Sequence, residues 1–205
     1  MPDRPLHARD GWLQVLGLVG ASHLLENVAR LLPGYAESRI SELLAQAAAT
    51  SGAPRLTLLV SSALIGPMFE ELVFRGVLFE LLRRWRGPGA AIVGSALLFG
   101  AAHLDTHQSG VAALLGLQLG ALRHVHGLSW AIIAHVANNG LALGASAFAL
   151  PAGLSASPTA RLASIAAALC LTGFACASLA QSMRSPDPEW PAPAPKLQNG
   201  PEASE

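Results

Sequence analysis

The chain carries the sequence FEELVFRG at residues 69–76, inside an otherwise apolar segment. From residue 56 to residue 82 the only charged side chains are Glu70, Glu71, Arg75 and Glu80. A carboxylate in the middle of a bilayer costs about 2.5–3.5 kcal/mol on insertion scales, so two adjacent ones indicate a functional site. Arg75 lies one helical turn after Glu71, and we expect the two to pair. Glu70 is rotated by about 100° and is left without an obvious local partner.

The composition is that of a membrane protein. Hydrophobic residues make up 52% of the 205 residues and charged residues only 13%, against about a quarter charged in soluble domains. The formal net charge is zero, which gives no indication of a nucleic-acid partner. We therefore expect a multi-pass protein of the cell membrane, with the lipid bilayer as its first partner.

Six apolar segments approach the length needed to cross a membrane, at residues 12–32, 56–82, 90–103, 111–122, 128–150 and 160–180. They predict an all-α fold, a polytopic membrane bundle of about six transmembrane helices around a polar intramembrane cavity. The arginines fall mainly in the termini and in two loops on one side, so both termini are predicted to be cytoplasmic.

The same segments divide the chain into four regions. Residues 1–55 are predicted to hold an N-terminal helix and an amphipathic connector at 39–51. Residues 56–150 form the core, and 151–183 a C-terminal transmembrane helix. Residues 184–205, rich in Pro, Ser, Ala and charge, are predicted to be a disordered cytoplasmic tail.

Proline and glycine positions indicate where helices loosen or approach closely. Pro67 removes a helical hydrogen bond three residues before Glu70, which can open room for water beside the carboxylates. The pairs Gly116/Gly120 and Gly140/Gly144 have small-xxx-small spacing, so we expect close helix packing at both.

Further polar residues interrupt the later apolar segments. His103 lies at the end of the third segment, and His135 and Asn139 share one face of the fifth. Unpaired, each would be costly in lipid, whereas together they can surround a hydrated cavity. A carboxylate can act as general base on water, a histidine can hold that water or protonate a leaving group, and a second His with an Asn can stabilise an oxyanion. Three other histidines, His107, His124 and His126, are expected in solvated loops.

Two questions stay open at this point. Glu70, His103 and His135 could instead bind zinc. No two of these three residues have the His-x-x-x-His spacing of helical zinc proteases. Counting about 1.5 Å per helical residue also puts His103 roughly 20 Å from the cytoplasmic face and His135 about 10 Å. A shared site therefore requires the third helix to tilt or to begin elsewhere.

Three motifs in this order, Glu70-Glu71-x-x-x-Arg75, Phe99-x-x-x-His103 and His135-x-x-x-Asn139, resemble the CPBP family. It comprises CAAX proteases and bacteriocin-processing (Abi) intramembrane proteases, which are related to the Ras-converting CAAX endopeptidase. The resemblance covers roughly residues 56–150 and implies an intramembrane endopeptidase acting on membrane-associated peptides, either prenylated or bacteriocin-like.

The resemblance also implies a role for each matching residue. Glu70 would be the base that activates water, working with His103. Glu71 would be the second acid, held by Arg75, and His135 and Asn139 would form an oxyanion hole. Both metal-dependent and metal-free glutamate mechanisms are argued for the family, so a zinc cofactor stays open.

Two other functions compete with the protease. A membrane scaffold or immunity protein could keep the fold and the site without cleaving peptides. A proton-coupled carrier could use Glu70, Glu71 and Arg75 as a relay, but it predicts inverted repeats, which the sequence does not show.

Overall fold

A computed structural model of the chain describes residues 8–29, 31, 50–104, 106–147 and 158–184. These residues form six helices and no strands, which confirms the all-helical class. We number the helices α1 (Ala8–Ala29), α2 (Ala53–Arg86), α3 (Pro88–Ala101), α4 (Thr106–His126), α5 (Leu128–Ala147) and α6 (Pro158–Arg184). Each of the six predicted apolar segments falls on one of them.

Two of the described helices are long and apolar enough to cross a membrane, α2 and the Leu162–Arg184 part of α6. Helix α3 and the Leu128–Leu143 part of α5 are apolar but shorter. The predicted number of about six transmembrane helices, and the orientation of the termini, therefore remain predictions. The connector at 39–51, except for its last two residues, and the tail at 185–205 lie outside the described residues.

Helix α2 widens from an α-helix to a π-helix at two places. Two π-helical segments, Ser61–Ile65 and Leu72–Leu78, alternate with the α-helical segments Ala53–Val60, Gly66–Glu71 and Phe79–Arg86. A π-helical turn is wider than an α-helical one and is frequent at functional sites. The two wide segments bracket the short stretch that ends in the two adjacent glutamates.

Single glycines connect two pairs of helices. Gly87 (φ 86°) joins α2 to α3 and Gly127 (φ 94°) joins α4 to α5, a left-handed backbone that glycine adopts without steric cost. His124 and His126 lie in the last turn of α4, and the backbone of His107 lies in its first turn. The prediction that these three histidines lie in loops is therefore wrong. Helix α4 extends beyond its apolar centre at both ends, because polar residues can continue a helix once it has formed.

Glycines bring α4 close to α3. A Cβ on Gly116 would lie 3.1 Å from the Cα of Ala96, and one on Gly120 would lie 3.3 Å from the Cα of Ile92, as their spacing predicted. For Gly140 a Cβ would meet no atom within 4 Å among the described residues. Gly116 and Gly120 face a neighbouring helix, whereas no described residue packs against Gly140, so the packing that the Gly140/Gly144 spacing permits stays a prediction.

Candidate active site

The centre of the polar cluster is the buried carboxylate of Glu71, which is 0% exposed. Its Oε1 accepts a hydrogen bond from Arg75 Nη1 at 2.8 Å and another from His135 Nδ1 at 2.9 Å. The i,i+4 ion pair expected between Glu71 and Arg75 is therefore present. Because a carboxylate oxygen only accepts, the proton of the His135 ring in this bond lies on Nδ1.

Arg75 is also fully buried, and it joins three helices around this carboxylate. Its Nη2 donates to the carbonyl oxygen of Gly116 in α4 at 3.1 Å. Its guanidinium carbon lies 4.4 Å from the centre of the Phe99 ring in α3, a cation–π contact. A buried charge needs such partners, and these contacts fix the Arg75 end of the ion pair.

Glu70 lies in a different environment from its neighbour. Its side chain is 38% exposed, and its Oε2 is 3.7 Å from Nε2 of His135. The two nitrogens of one imidazole ring therefore face two different glutamates. Glu71 is enclosed and ion-paired, whereas Glu70 is partly exposed.

His103 lies in the turn that follows α3, not within the helix. Its Nδ1 donates to the carbonyl oxygen of Phe99 at 2.9 Å, which leaves Nε2 as the ring nitrogen not used in that bond. The Phe99 ring packs edge-on against both histidines, 4.9 Å from the His103 ring and 5.6 Å from the His135 ring. The turn after α3 thus carries His103 to the same aromatic ring that His135 contacts, while the relative depth of the two histidines in a membrane stays a prediction.

Asn139 is one turn after His135, and its contact is with the backbone of α2. Its Nδ2 donates to the carbonyl oxygen of Ser62 at 3.4 Å, and its Oδ1 accepts from Asn138 Nδ2, also at 3.4 Å. The carbonyl oxygens of Ser62 and Gly116 were not foreseen as partners, because every residue carries such an acceptor and the sequence does not mark the ones in use. Phe99 had a signal, since it opens the Phe99-x-x-x-His103 motif.

Glu70, His103 and His135 were left open as possible zinc ligands. Among the residues that the structure describes, no three His, Cys, Asp or Glu side chains form a group that could hold a metal ion. The buried polar atoms without a hydrogen-bond partner at the cluster are Glu71 Oε2 and Arg75 Nε. The second belongs to a cation, which would repel a metal ion placed beside it.

The site residues lie in a segment that is similar to a known protein family. Residues 52–141, a little under half of the chain, match the family described as type II CAAX prenyl endopeptidase Rce1-like. The matched segment contains all six predicted site residues: Glu70, Glu71, Arg75, His103, His135 and Asn139. No match was found among curated proteins or among solved structures. The resemblance to the CAAX proteases that the three motifs predicted is therefore confirmed over residues 52–141, the segment that is similar to the Rce1-like family.

Proposed function

We propose that this chain is an intramembrane endopeptidase in which Glu70 activates the water that hydrolyses a peptide bond. One observation carries the proposal. Two adjacent glutamates share a histidine, and only Glu70 is exposed enough to meet water and substrate, while Glu71 is enclosed and bound to Arg75. Two carboxylates in such unlike surroundings suit two separate roles.

In the proposed reaction Glu70 takes a proton from water while the water oxygen attacks the peptide carbonyl carbon. The tetrahedral intermediate collapses when the C–N bond breaks, and Glu70 returns the proton to the leaving amine. His103 helps to hold the water through Nε2, because its Nδ1 is engaged with the Phe99 carbonyl. We assign the oxyanion contact to Nε2 of His135, the ring nitrogen that faces Glu70, which can donate when both ring nitrogens carry a proton.

Glu71 and Arg75 act through His135. The bond from His135 Nδ1 to Glu71 fixes the ring orientation and directs Nε2 towards Glu70. The arrangement follows the logic of a catalytic triad, in which a buried carboxylate orients an imidazole without itself taking the proton. Arg75 keeps the carboxylate in place, and Asn139, one turn after His135, is the second proposed oxyanion donor.

The proposed substrates are membrane-associated peptides. The family is described as a CAAX prenyl endopeptidase, which suggests prenylated peptides, and bacteriocin-like precursors are the second class that the motifs imply. Both classes are held at a membrane, and the candidate base lies in α2, a helix long and apolar enough to cross one. The shared requirement is a peptide bond that reaches Glu70 from an anchored chain.

The test is cleavage of anchored peptides by the purified protein in liposomes. Three peptides are compared: a farnesylated CAAX peptide, its unprenylated form and a bacteriocin-type leader peptide. Glu70→Gln should lower kcat by about 100- to 10,000-fold, the usual contribution of a general base. Glu80→Gln is the matched control on the same helix, because Glu80 pairs with Arg83 and Arg84 away from the cluster, and it should keep wild-type kcat.

Two further experiments separate a metal-free from a metal-dependent mechanism, and a protease from a scaffold or immunity protein. A zinc chelator should leave cleavage unchanged, whereas loss that added zinc restores would support a metal mechanism. If wild type cleaves none of the peptides and a cellular phenotype survives Glu70→Gln combined with His103→Ala, the scaffold or immunity function is favoured. Cleavage by Glu70→Gln at the wild-type rate would rule out the proposed base.

A further inference from the structure

The aromatic ring of Phe99 contacts side chains from three parts of the molecule. The residue is buried, with 3% of its surface exposed. Its ring packs edge-on against His103 in the turn after α3 and against His135 in α5, with ring centres 4.9 Å and 5.6 Å apart. The guanidinium carbon of Arg75 in α2 lies 4.4 Å from the ring centre. One ring therefore adjoins both site histidines and the cation that binds Glu71.

Hydrogen bonds by themselves leave each imidazole some freedom to rotate. His103 donates from Nδ1 to a backbone carbonyl, and His135 donates from Nδ1 to Glu71. The second nitrogen of His135 is 3.7 Å from Glu70, which is longer than a hydrogen bond. A ring held by one hydrogen bond can swing about it, because the bond restrains a single atom. The edge-on packing against Phe99 restrains the rest of both rings.

The separation of the two Nε2 atoms matters for the proposed reaction. His103 Nε2 holds the attacking water, and His135 Nε2 meets the oxyanion. In the tetrahedral intermediate these are two oxygens on one carbon, so the nitrogens must keep a fixed distance from each other. Misplacing a catalytic group by about 1 Å can cost about 100-fold in rate. A rigid ring in contact with both imidazoles fixes their separation better than a flexible aliphatic side chain can.

We propose that Phe99 is a positioning residue, which sets the separation of His103 and His135 by packing against both imidazole rings. The inference rests on the proposed function and adds a residue to it. Phe99 lies one helical turn before His103, so α3 places the aromatic ring and the turn places the histidine against it. The side chain of Phe99 acts through the two histidines and contributes no proton, charge or hydrogen bond of its own.

Replacing the ring by an aliphatic side chain tests this role. Phe99→Leu should lower kcat per folded molecule by about 10- to 100-fold with little change in KM, because the histidines lose their common spacer. Phe99→Met fills the space with a flexible chain and should have the same effect, so it serves as the second variant if Phe99→Leu does not fold.

Phe79→Leu is the matched control. Phe79 is also buried, at 1% exposure, and its ring also faces an arginine, since the guanidinium carbon of Arg123 lies 5.6 Å from the ring centre. It packs in an apolar cluster with residues of α3, α4 and α6. Both leucine variants should lower Tm, but Phe79→Leu should keep wild-type kcat per folded molecule.

Two kinetic results would overturn the proposal. Equal losses of kcat in Phe99→Leu and Phe79→Leu would show that the effect follows from lost core packing alone. A raised KM at unchanged kcat in Phe99→Leu would show that the ring belongs to the substrate contact and does not position the histidines.

The motion of the histidine rings gives a readout that needs no activity. Protein labelled with ¹³C at histidine Cε1 is measured by NMR relaxation in detergent, and His103→Gln and His135→Gln assign the two signals. Both rings should reorient more freely in Phe99→Leu than in wild type, whereas Phe79→Leu should leave them unchanged. This result would support the positioning role of Phe99 although wild type cleaved no peptide and the proposed protease activity had failed. Unchanged ring motion in Phe99→Leu would refute it.

Discussion

The interface of α2 with α5 and the interface of α1 with α6 hold helices together by different means. Between α1 and α6 small residues allow a close approach, since a Cβ on Gly17 would overlap the Cβ of Ala175. The hydrogen bonds that Gln14 and Thr172 donate across this interface end on backbone carbonyl oxygens, those of Ala175 and Gly17. Between α2 and α5 the contacts are a carboxylate, an imidazole and an amide. Both means are used by membrane helices.

The difference shows which interface carries chemistry. A small-residue contact depends on volume, and any side chain that fits serves equally well. A polar contact depends on which atom donates and which accepts, so it places particular nitrogens and oxygens at fixed positions. The following changes test this contrast, beginning with the one expected to have the largest effect.

Glu71→Gln removes the charge at the polar interface while keeping the shape of the side chain. It leaves Arg75 buried without a counter-charge, which should lower the free energy of unfolding by about 3–5 kcal/mol. The measurement is denaturant unfolding in detergent, followed by tryptophan fluorescence. Glu80→Gln, which breaks partly exposed ion pairs, should cost no more than about 1 kcal/mol. Similar losses in both variants would contradict the buried role of Glu71.

Adding Arg75→Met to Glu71→Gln should separate folding from chemistry. Removing both charges ends the cost of an unpaired buried ion, so the double variant should recover to within about 2 kcal/mol of wild-type stability. Peptide cleavage should stay lost, because His135 has no carboxylate partner to direct its ring. Recovery of cleavage together with stability would show that the ion pair serves the fold alone.

Gly17→Ala tests the small-residue interface by volume. The new methyl group would overlap Ala175, and the helices would have to separate, which should cost about 1–3 kcal/mol of unfolding free energy. Cleavage per folded molecule should be unchanged, since Gly17 lies on α1 and away from the glutamates. A fall in kcat without a fall in stability would mean that α1 and α6 position the site.

Gly140→Ala makes the same chemical change where no neighbour is described. A Cβ there meets nothing within 4 Å, and alanine favours a helix over glycine by up to about 1 kcal/mol. Thermal unfolding in detergent should therefore show a slightly raised Tm. A lowered Tm would indicate that this side of α5 packs against a segment or a second copy that lies outside the described contacts.

The positions of the helices could be predicted from the sequence because apolar segments of sufficient length are continuous and easily counted. The pairing of Glu71 with Arg75 followed from their i,i+4 spacing alone. Helix ends were less accurate: the last turn of α4 continues through Arg123, His124 and His126. Polar composition suggested a loop there, yet it does not prevent a helix from continuing.

Other features of the site depend on the backbone and leave no mark on residue types. The Ser62 and Gly116 carbonyls became partners through the fold, and Gly140 has the same spacing signal as Gly116 without the same contact. The turn that carries His103 also brings that histidine to Phe99. Counting helical residues could not show this, because it assumed that the helix continued through His103.

The π-helical segment Leu72–Leu78 affects how the two ends of α2 are rotated relative to each other about the helix axis. A π-helical turn behaves like a one-residue insertion that the helix absorbs without a break. Winding Leu72–Leu78 as a regular α-helix with no residue deleted would turn Glu70 by about 100° relative to Arg83 and Arg84, whereas deleting one residue as well would leave that angle nearly unchanged. The winding of this segment therefore sets the angle between the glutamates and the basic end of the helix.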